Sequence, residues 1–261
     1  MPVITLTTDF GLRDHYVACM KAVIMGIAPK ATIIDATHDV ESHNVTHGAF
    51  ILAELINWYP PGTVHLAVID PGVGTQRRIL IGRYAGHYVI APDNGLITFV
   101  HHRYAIEDLR VFENGRFALP NISSTFHGRD VMAPVAAHLA AGRRPADFGP
   151  QTDRVEVLQI VHSTHNAQHG VTGRIIYVDK FGNLTTNISH HDVVSALRLR
   201  PNAEVHLAGE RIGSIQVTYA HVGNGIPLAL MGSSGYLEIA VNGGSAFDRF
   251  KPAPDAAVEL R

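Results

Sequence analysis

Cysteine, charge and long apolar runs are all scarce in this sequence of 261 residues. The single cysteine, Cys19, cannot form an internal disulfide, as is typical of proteins from reducing compartments. No apolar run approaches the roughly 20 residues that a membrane-spanning helix needs. The first residues also lack the basic start and apolar core of a signal peptide. We therefore expect a soluble, cytoplasmic protein that does not bind a membrane.

Charged residues make up 17% of the chain and the formal net charge is -2. This balance does not favour a polyanionic partner, so nucleic acid binding is not expected. The length suits either one large domain or two smaller ones, each with an ample core.

The first 150 residues alternate short β-branched runs with segments of helical period, which predicts an α/β domain with a mostly parallel central sheet. Strands are predicted at 2–10, 31–35, 63–70, 77–83, 86–92 and 97–102, and helices at 14–28, 44–58 and 130–142. Asp14 is the predicted N-cap of the first helix. Pro134 suits the first turn of the last helix and Gly142 its C-terminal end.

Beyond residue 150, predicted strands follow one another without intervening helices, which indicates a smaller all-β domain, either a sandwich or a barrel. These strands are 171–179, 204–209, 213–220, 227–232, 235–242 and 256–260. The predicted organisation is an N-terminal α/β domain over 1–150, a linker over 151–165 and a C-terminal barrel-like domain over 166–261.

The stretch "IDPGVGTQRR" at 69–78 contains two glycines, an acid and two bases. A phosphate-binding glycine-rich loop leads into a helix N-terminus, whereas the "RRILIGR" that follows here is strand-like. A Pro-Gly turn between two strands explains the glycines but not Asp70. Asp9 in "TTDF" also follows a strand, and ligands of open α/β sheets bind at the carboxyl ends of strands. We expect both carboxylates to face one crevice.

Four further polar stretches stand out: "TTDFGLRDHYV" (7–17), "PDNGLITFV" (92–100), "SSTFHGRD" (123–130) and "VDKFGNLTTNI" (178–188). Together with 69–78 and "GSSGYLEIAVN" (232–242), they make the chain resemble the S-adenosyl-L-methionine hydroxide adenosyltransferases over nearly its full length. These enzymes are relatives of the fluorinating and chlorinating enzymes that attack S-adenosylmethionine at C5′. The resemblance implies an α/β domain, a C-terminal β-barrel and a homotrimer. It also implies sites between the N-terminal domain of one subunit and the C-terminal domain of its neighbour.

By position, the family's catalytic Asp-Arg-His set corresponds to Asp70, Arg77 and His127. The halide-using relatives carry tyrosine at the place of Asp70 and do not keep histidine at that of His127. The resemblance therefore implies the hydroxide branch, with S-adenosylmethionine as substrate and adenosine and methionine as products.

The substrate-binding residues implied by the resemblance come from both predicted domains. Asp9 is implied to bind both ribose hydroxyls, and Asp179 and Asn183 to hold the methionine amino group and flank the adenosine, with Phe181 between them. Tyr219 is implied to pack on the purine. Ser233 is implied to lie near the methionine carboxylate, where Ser234 replaces an arginine of the halide enzymes.

The chemistry fits these residue types. A sulfonium already has a neutral thioether as leaving group, so no metal, cofactor or acid is required to expel it, and positioning can supply about 7–11 kcal/mol. Water, with a pKa of about 15.7, must be activated. A carboxylate paired with arginine is a weak base. This favours an Asp70 that orients water and an Arg77 that stabilises hydroxide, with His127 as a third anchor or proton carrier.

Several other patterns favour structural interpretations. His38, His43 and His47 have spacings of five and four, which do not give a tight metal site, so solvent-facing or capping histidines are predicted. Arg129 and Asp130 fit an ion pair at a helix start as well as site residues. Cys19 lies among the apolar positions of the first helix and is predicted to pack there.

Two alternatives to S-adenosylmethionine hydrolysis remain open. One is a halide-using enzyme that makes 5′-halo-5′-deoxyadenosine, which Asp70 and His127 disfavour. The other is a sensor that binds S-adenosylmethionine or adenosine without turnover, because residues for binding and for slow hydrolysis coincide.

Overall fold

Two compact units make up the computed structural model, Met1–Leu158 and Gln159–Arg261. The structure describes residues 1–159, 162–166, 170–254 and 256–261. Residues 160 and 161 of the predicted linker, and 167–169 and 255 of the predicted second domain, lie outside the described residues. The domain limits predicted from sequence stay a prediction.

A six-stranded sheet in the order β2-β1-β3-β5-β4-β6 forms the centre of the first unit. Its strands are β1 (Val3–Thr8), β2 (Thr32–Thr37), β3 (Val64–Val68), β4 (Ile79–Tyr84), β5 (His87–Pro92) and β6 (Ile106–Val111). The pairs β1–β2, β1–β3 and β3–β5 are parallel, whereas β4 runs antiparallel to both β5 and β6. The predicted mostly parallel sheet is confirmed. Since the chain passes from β1 to β2 on one side and then to β3 on the other, the winding reverses between β1 and β3.

Helices pack on this sheet. They are α1 (Tyr16–Ile27), α2 (Val45–Leu55), α3 (Thr98–Arg103) and α4 (Ala133–Ala140), and a 3-10 turn (Ile56–Trp58) extends α2. α1 and α4 contact each other over a core that contains Ile4, Leu6 and Leu66. α2 packs near the end of β3 at Gly48, where a Cβ atom would lie 2.7 Å from Cδ1 of Ile69, the residue after the strand. Gly48 therefore leaves room for the Ile69 side chain beside α2.

Two predictions for the first unit are wrong. α1 begins at Tyr16 after His15, with no side-chain cap, so Asp14 is not its N-cap. The segment 97–102, predicted as a strand, lies mostly in α3. There the hydroxyl of Thr98 donates to the Gly95 carbonyl at 2.6 Å, and Phe99 packs edge-to-face on Phe50 of α2. Tertiary packing and a local turn override the β propensity of this segment.

The second unit is a nearly closed, barrel-like sheet in the order β11-β10-β15-β8-β9-β14-β13-β12, with β7 beside β8. Its strands are β7 (Thr164–Asn166), β8 (Gly170–Val178), β9 (Leu184–Ser189), β10 (Val205–Leu207), β11 (Glu210–Gly213), β12 (Ile215–Gln216), β13 (Pro227–Met231), β14 (Tyr236–Val241) and β15 (Ala257–Leu260). β11, at one end of the path, contacts β13, next to the other end. The predicted barrel-like architecture is confirmed.

The second unit also contains helices, contrary to the prediction that its strands follow one another without them. α5 (His190–Leu199) follows β9, and α6 (Ala246–Phe250) follows β14. The Ser189 hydroxyl accepts from the Asp192 N–H, and the Asp192 carboxylate accepts from the Ser189 N–H, which is a capping box. The predicted strand 213–220 is limited to β12, and a 3-10 turn (Tyr219–His221) follows it.

Among the described residues, no helix is both long and apolar enough to cross a bilayer.

Candidate active site

The candidate site lies where β1 and β3 end, at the point where the winding of the sheet reverses. Thr8 of β1 and Val68 of β3 are register partners in parallel strands, so Asp9 and Asp70 leave the sheet at the same edge. Both line one pocket of about 310 Å³. Such an edge is where open α/β sheets bind ligands. The two strand-end carboxylates share a crevice, as the sequence predicted.

The turn after β3 is shaped by Gly74. Its φ of 79° is in the left-handed region, and a Cβ atom there would lie 2.3 Å from the backbone oxygen of Ser124. The turn leads into β4 rather than into a helix, so it is not a phosphate-binding loop. Gly74 instead lets the loop that carries Asp70 and Arg77 lie directly against the loop that carries His127.

Asp70, Arg77 and His127 form one hydrogen-bonded cluster. The Nε of Arg77 donates to both carboxylate oxygens of Asp70, at 2.9 and 3.0 Å, and Nη2 donates to Oδ2 as well. The same Nη2 donates to Nδ1 of His127 at 3.0 Å. The Asp70 and Arg77 side chains are only 5% and 9% exposed. A charge pair so well shielded from water is held in a fixed geometry.

The contact with Arg77 fixes the proton position on His127. Because a guanidinium only donates, Nδ1 of His127 accepts, and a neutral ring therefore carries its proton on Nε2. Burial lowers the pKa of His127 below its usual 6.5, and the charge of Arg77 lowers it further. His127 is thus a neutral side chain at physiological pH, able to donate a hydrogen bond into the pocket that it lines.

Arg129 and Asp130 support the loop that carries His127. The fully buried Asp130 carboxylate accepts from Nε of Arg129 at 2.6 Å and from the Ser123 N–H at 2.8 Å. The pair lies in a π-helical turn (Gly128–Met132) that precedes α4. Hydrogen bonds from Arg129 hold the pKa of Asp130 below its usual range despite the opposing effect of burial. This ion pair is a structural support of the site.

The remaining walls of the pocket suit a ligand that is part aromatic and part polar. Phe10, Tyr16 and Phe126 pack on one another with ring centroids 5.2–5.8 Å apart, and all three line the pocket. Oδ2 of Asp9 accepts from the backbone N–H of His43 at 2.9 Å. Apolar ring surface therefore lies next to a carboxylate whose orientation is set by a backbone donor.

His38, His43 and His47 have different environments in the structure. His43 is exposed, and its backbone N–H serves Asp9; Nδ1 of His47 accepts from the Glu41 N–H at 3.4 Å. His38 is buried, with Nδ1 2.8 Å from the Thr8 hydroxyl and Nε2 3.0 Å from Asp35, so the prediction of a solvent-facing or capping histidine is wrong there. In the described parts of the chain, no group of three or more His, Cys, Asp or Glu side chains is arranged to hold a metal ion.

The other predicted binding residues lie in the second unit. Oδ1 of Asp179 accepts from the N–H groups of Phe181 and Asn183 at 2.9 and 2.8 Å, and Oδ2 accepts from the Asn183 amide at 2.9 Å. This turn leaves the Phe181 ring 75% exposed. Ser233 is exposed in the turn between β13 and β14.

Glu238 is a polar residue of this unit that the sequence reasoning missed. It lies in β14 and accepts a hydrogen bond at 2.7 Å from the hydroxyl of Tyr219. Burial raises the pKa of Glu238, and the negative charge of Asp179 raises it further, so the two carboxyls are within electrostatic reach. The signal was present in the sequence as a single acid inside the apolar run "YLEIAV".

A two-unit chain with a polar pocket at the carboxyl ends of parallel strands defines a ligand-binding α/β protein with a barrel-like second unit. The chain belongs to the SAM hydroxide adenosyltransferase family. Residues 4–149 match the family's N-terminal domain and residues 173–259 its C-terminal domain.

Individual relatives agree with this assignment. The (R)-S-adenosyl-L-methionine hydrolase of Thermus thermophilus is 37% identical over 92% of this chain and 91% of its own length. A fluorinase from an Actinoplanes species is more distant, at 28% identity over 92% of this chain and 91% of its own. The crystal structure of an uncharacterized conserved protein from Thermotoga maritima superposes with a TM-score of 0.90. That protein is 36% identical, over 99% of this chain and 100% of its own.

Proposed function

We propose that this protein is an enzyme that hydrolyses S-adenosyl-L-methionine to adenosine and L-methionine by attack of water or hydroxide at ribose C5′. The observation that carries the proposal is the Asp70–Arg77–His127 cluster, which lies in the same strand-end pocket as Asp9. The name of the Thermus relative, an (R)-S-adenosyl-L-methionine hydrolase, supports the same substrate and reaction.

The reaction balances without a co-reactant other than water. The C5′–S bond breaks and its electron pair stays on sulfur, which becomes the neutral thioether of methionine. A C5′–O bond forms, and the attacking water loses one proton to bulk solvent. The sulfonium cation of the substrate is attracted to a pocket lined by Asp9 and Asp70.

The hydrogen bonds of the cluster indicate a different role for each of its three residues. Because His127 accepts from Arg77 at Nδ1, a neutral His127 cannot take a proton from water, and it orients the nucleophile by donation from Nε2. Asp70 is paired with Arg77 through both oxygens and is a weak base, which suits orientation of water by the remaining lone pairs. Arg77 stabilises the charge that develops as water becomes hydroxide.

The finer assignments belong to the same proposal. Asp9 would bind the ribose hydroxyls, Asp179 and Asn183 the methionine amino group, Tyr219 the purine, and Ser233 the methionine carboxylate, with Phe181 beside them. The chain would act as a cytoplasmic homotrimer in which neighbouring subunits complete each site, with no metal and no further cofactor. Light scattering during size-exclusion chromatography would measure the number of subunits.

Product analysis tests the activity. Purified protein is incubated with S-adenosylmethionine alone, with chloride and with fluoride, and nucleosides are separated and identified by mass. Adenosine and methionine at the same rate in all three samples, abolished by Arg77→Ala, is the expected result. A halogenated nucleoside would identify a halide-using enzyme, and bound but unchanged substrate would identify a sensor.

A further inference from the structure

Glu238 occupies a position where its strand otherwise presents apolar side chains. It is 9% exposed in β14, between Thr185 of β9 and Leu230 of β13, and Ala240, which lies on the same face of the strand, is fully buried. A carboxyl group buried in a sheet costs free energy unless it is hydrogen-bonded. Burial of this carboxyl group therefore requires a hydrogen-bond partner.

The partner of Glu238 is Tyr219, whose ring stands at the surface. Tyr219 begins a 3-10 turn and is 41% exposed, and its hydroxyl donates to Oε1 of Glu238 at 2.7 Å. Among the described residues, no other hydrogen bond, ion pair or ring contact holds this side chain. One hydrogen bond to a buried acceptor thus fixes the orientation of a half-exposed aromatic ring.

We infer that Glu238 is a positioning residue that holds the Tyr219 ring in the orientation that packs on the purine of the substrate. The inference rests on the proposed function, in which Tyr219 contacts the base. An exposed tyrosine with a free hydroxyl would sample several rotamers and lose conformational entropy on binding. A ring that a hydrogen bond already holds loses less conformational entropy when substrate binds. Glu238 therefore strengthens substrate binding without contacting the substrate.

Protonation states are consistent with this arrangement. Burial and the neighbouring Glu238 both raise the pKa of the Tyr219 hydroxyl, so it remains a donor throughout the physiological range. The contact requires only an acceptor oxygen at position 238, which the amide of glutamine also provides. Alanine at that position removes the acceptor, and phenylalanine at position 219 removes the donor.

Steady-state kinetics with S-adenosylmethionine test the inference in Glu238→Ala, Tyr219→Phe, the double variant and Glu238→Gln. Glu238→Ala and Tyr219→Phe each remove the hydrogen bond and should each raise KM by about three- to tenfold, because the Tyr219 ring must then be ordered when substrate binds. The kcat of both variants should stay within about twofold of the unaltered protein. The double variant should be no worse than either single one, because both remove the same bond. Glu238→Gln should recover most of the affinity. Glu259→Ala, in β15 of the same unit, is the matched control and should leave KM unchanged.

Thermal unfolding of each variant checks the fold. Should Glu238→Ala not fold, Tyr219→Phe carries the test, because it removes the same hydrogen bond from the exposed side of the contact. An unchanged KM in Tyr219→Phe, additive losses in the double variant, or no recovery with Glu238→Gln would overturn the inference. Absence of turnover in the unaltered protein would overturn the proposed function, and the inference with it, before any variant is compared.

Discussion

Substitution of Gly74 by alanine should separate His127 from Asp70 and Arg77 in the hydrogen-bonded cluster. Alanine at this φ of 79° costs about 1–2 kcal/mol, the usual penalty for a left-handed residue with a Cβ atom. Its Cβ would lie 2.3 Å from the oxygen of Ser124, whereas ordinary contacts begin at 3.4 Å. The two loops must therefore move apart by about 1 Å, and a displacement of that size can reduce catalysis by about a hundredfold.

The assay compares Gly74→Ala with Gly62→Ala. Gly62 also has a left-handed φ, of 88°, but a Cβ atom there meets nothing within 4 Å. In urea, Gly62→Ala should lower the free energy of unfolding by about 1–2 kcal/mol, and Gly74→Ala should lower it by more, because its Cβ atom also meets the Ser124 oxygen. Only Gly74→Ala should lose about a hundredfold in kcat/KM for S-adenosylmethionine, because only it disturbs the 3.0 Å contact between Arg77 and His127. Equal activities in the two variants would refute this account of the turn.

Three further predictions follow from individual contacts. Asp9→Asn should weaken binding of adenosine at least about tenfold, as measured by calorimetry, because a charged acceptor is lost while the bond from the His43 N–H is kept; unchanged affinity would contradict the ribose role. Since the pKa of His127 is lowered, kcat/KM should still exceed half of its maximum at pH 6.5 and fall to half only at a lower pH; a rate already halved at pH 6.5 would contradict a neutral His127. Burial lowers the pKa of His65, which contacts Thr5 and His87, to about 3, so the unfolded chain takes up a proton that the native protein excludes. His65 alone should therefore lower the free energy of unfolding by about 1.4 kcal/mol for each pH unit between 6.5 and about 3, and in urea titrations His65→Asn should reduce the total slope by about that amount; an equal slope in the variant would contradict the assignment.

Local sequence pattern was sufficient where an element is determined by its own residues. The short β-branched runs of β1 and β3 identified both strands, and the rule that ligands bind at carboxyl ends placed Asp9 and Asp70 in one crevice. Local pattern gave the wrong prediction where tertiary packing determines the structure. The segment of α3 has a strand-like composition, yet it forms a helix that buries Phe99 and Val100. The helix α5 was missed although Ser189 and Asp192 carry the spacing of a capping box.

In the candidate site, too, local sequence predicts some contacts and tertiary packing determines the others. Asp70 and Arg77 are close in the chain, so a turn suffices to bring them together. His127 is 50 residues beyond Arg77 and reaches it only because Gly74 allows two loops to touch. Family resemblance, rather than local pattern, connected these residues. Glu238 was missed because its partner Tyr219 lies in a 3-10 turn 19 residues earlier, a contact that no local spacing encodes.

Turnover in water enriched in oxygen-18 tests the central claim most directly, because the claim is that solvent oxygen forms the new bond to C5′. Mass spectrometry of the products should find one labelled oxygen in adenosine, located in the 5′-hydroxyl, and none in methionine. Unlabelled adenosine, or a nucleoside that carries halide instead of oxygen at C5′, would contradict the account.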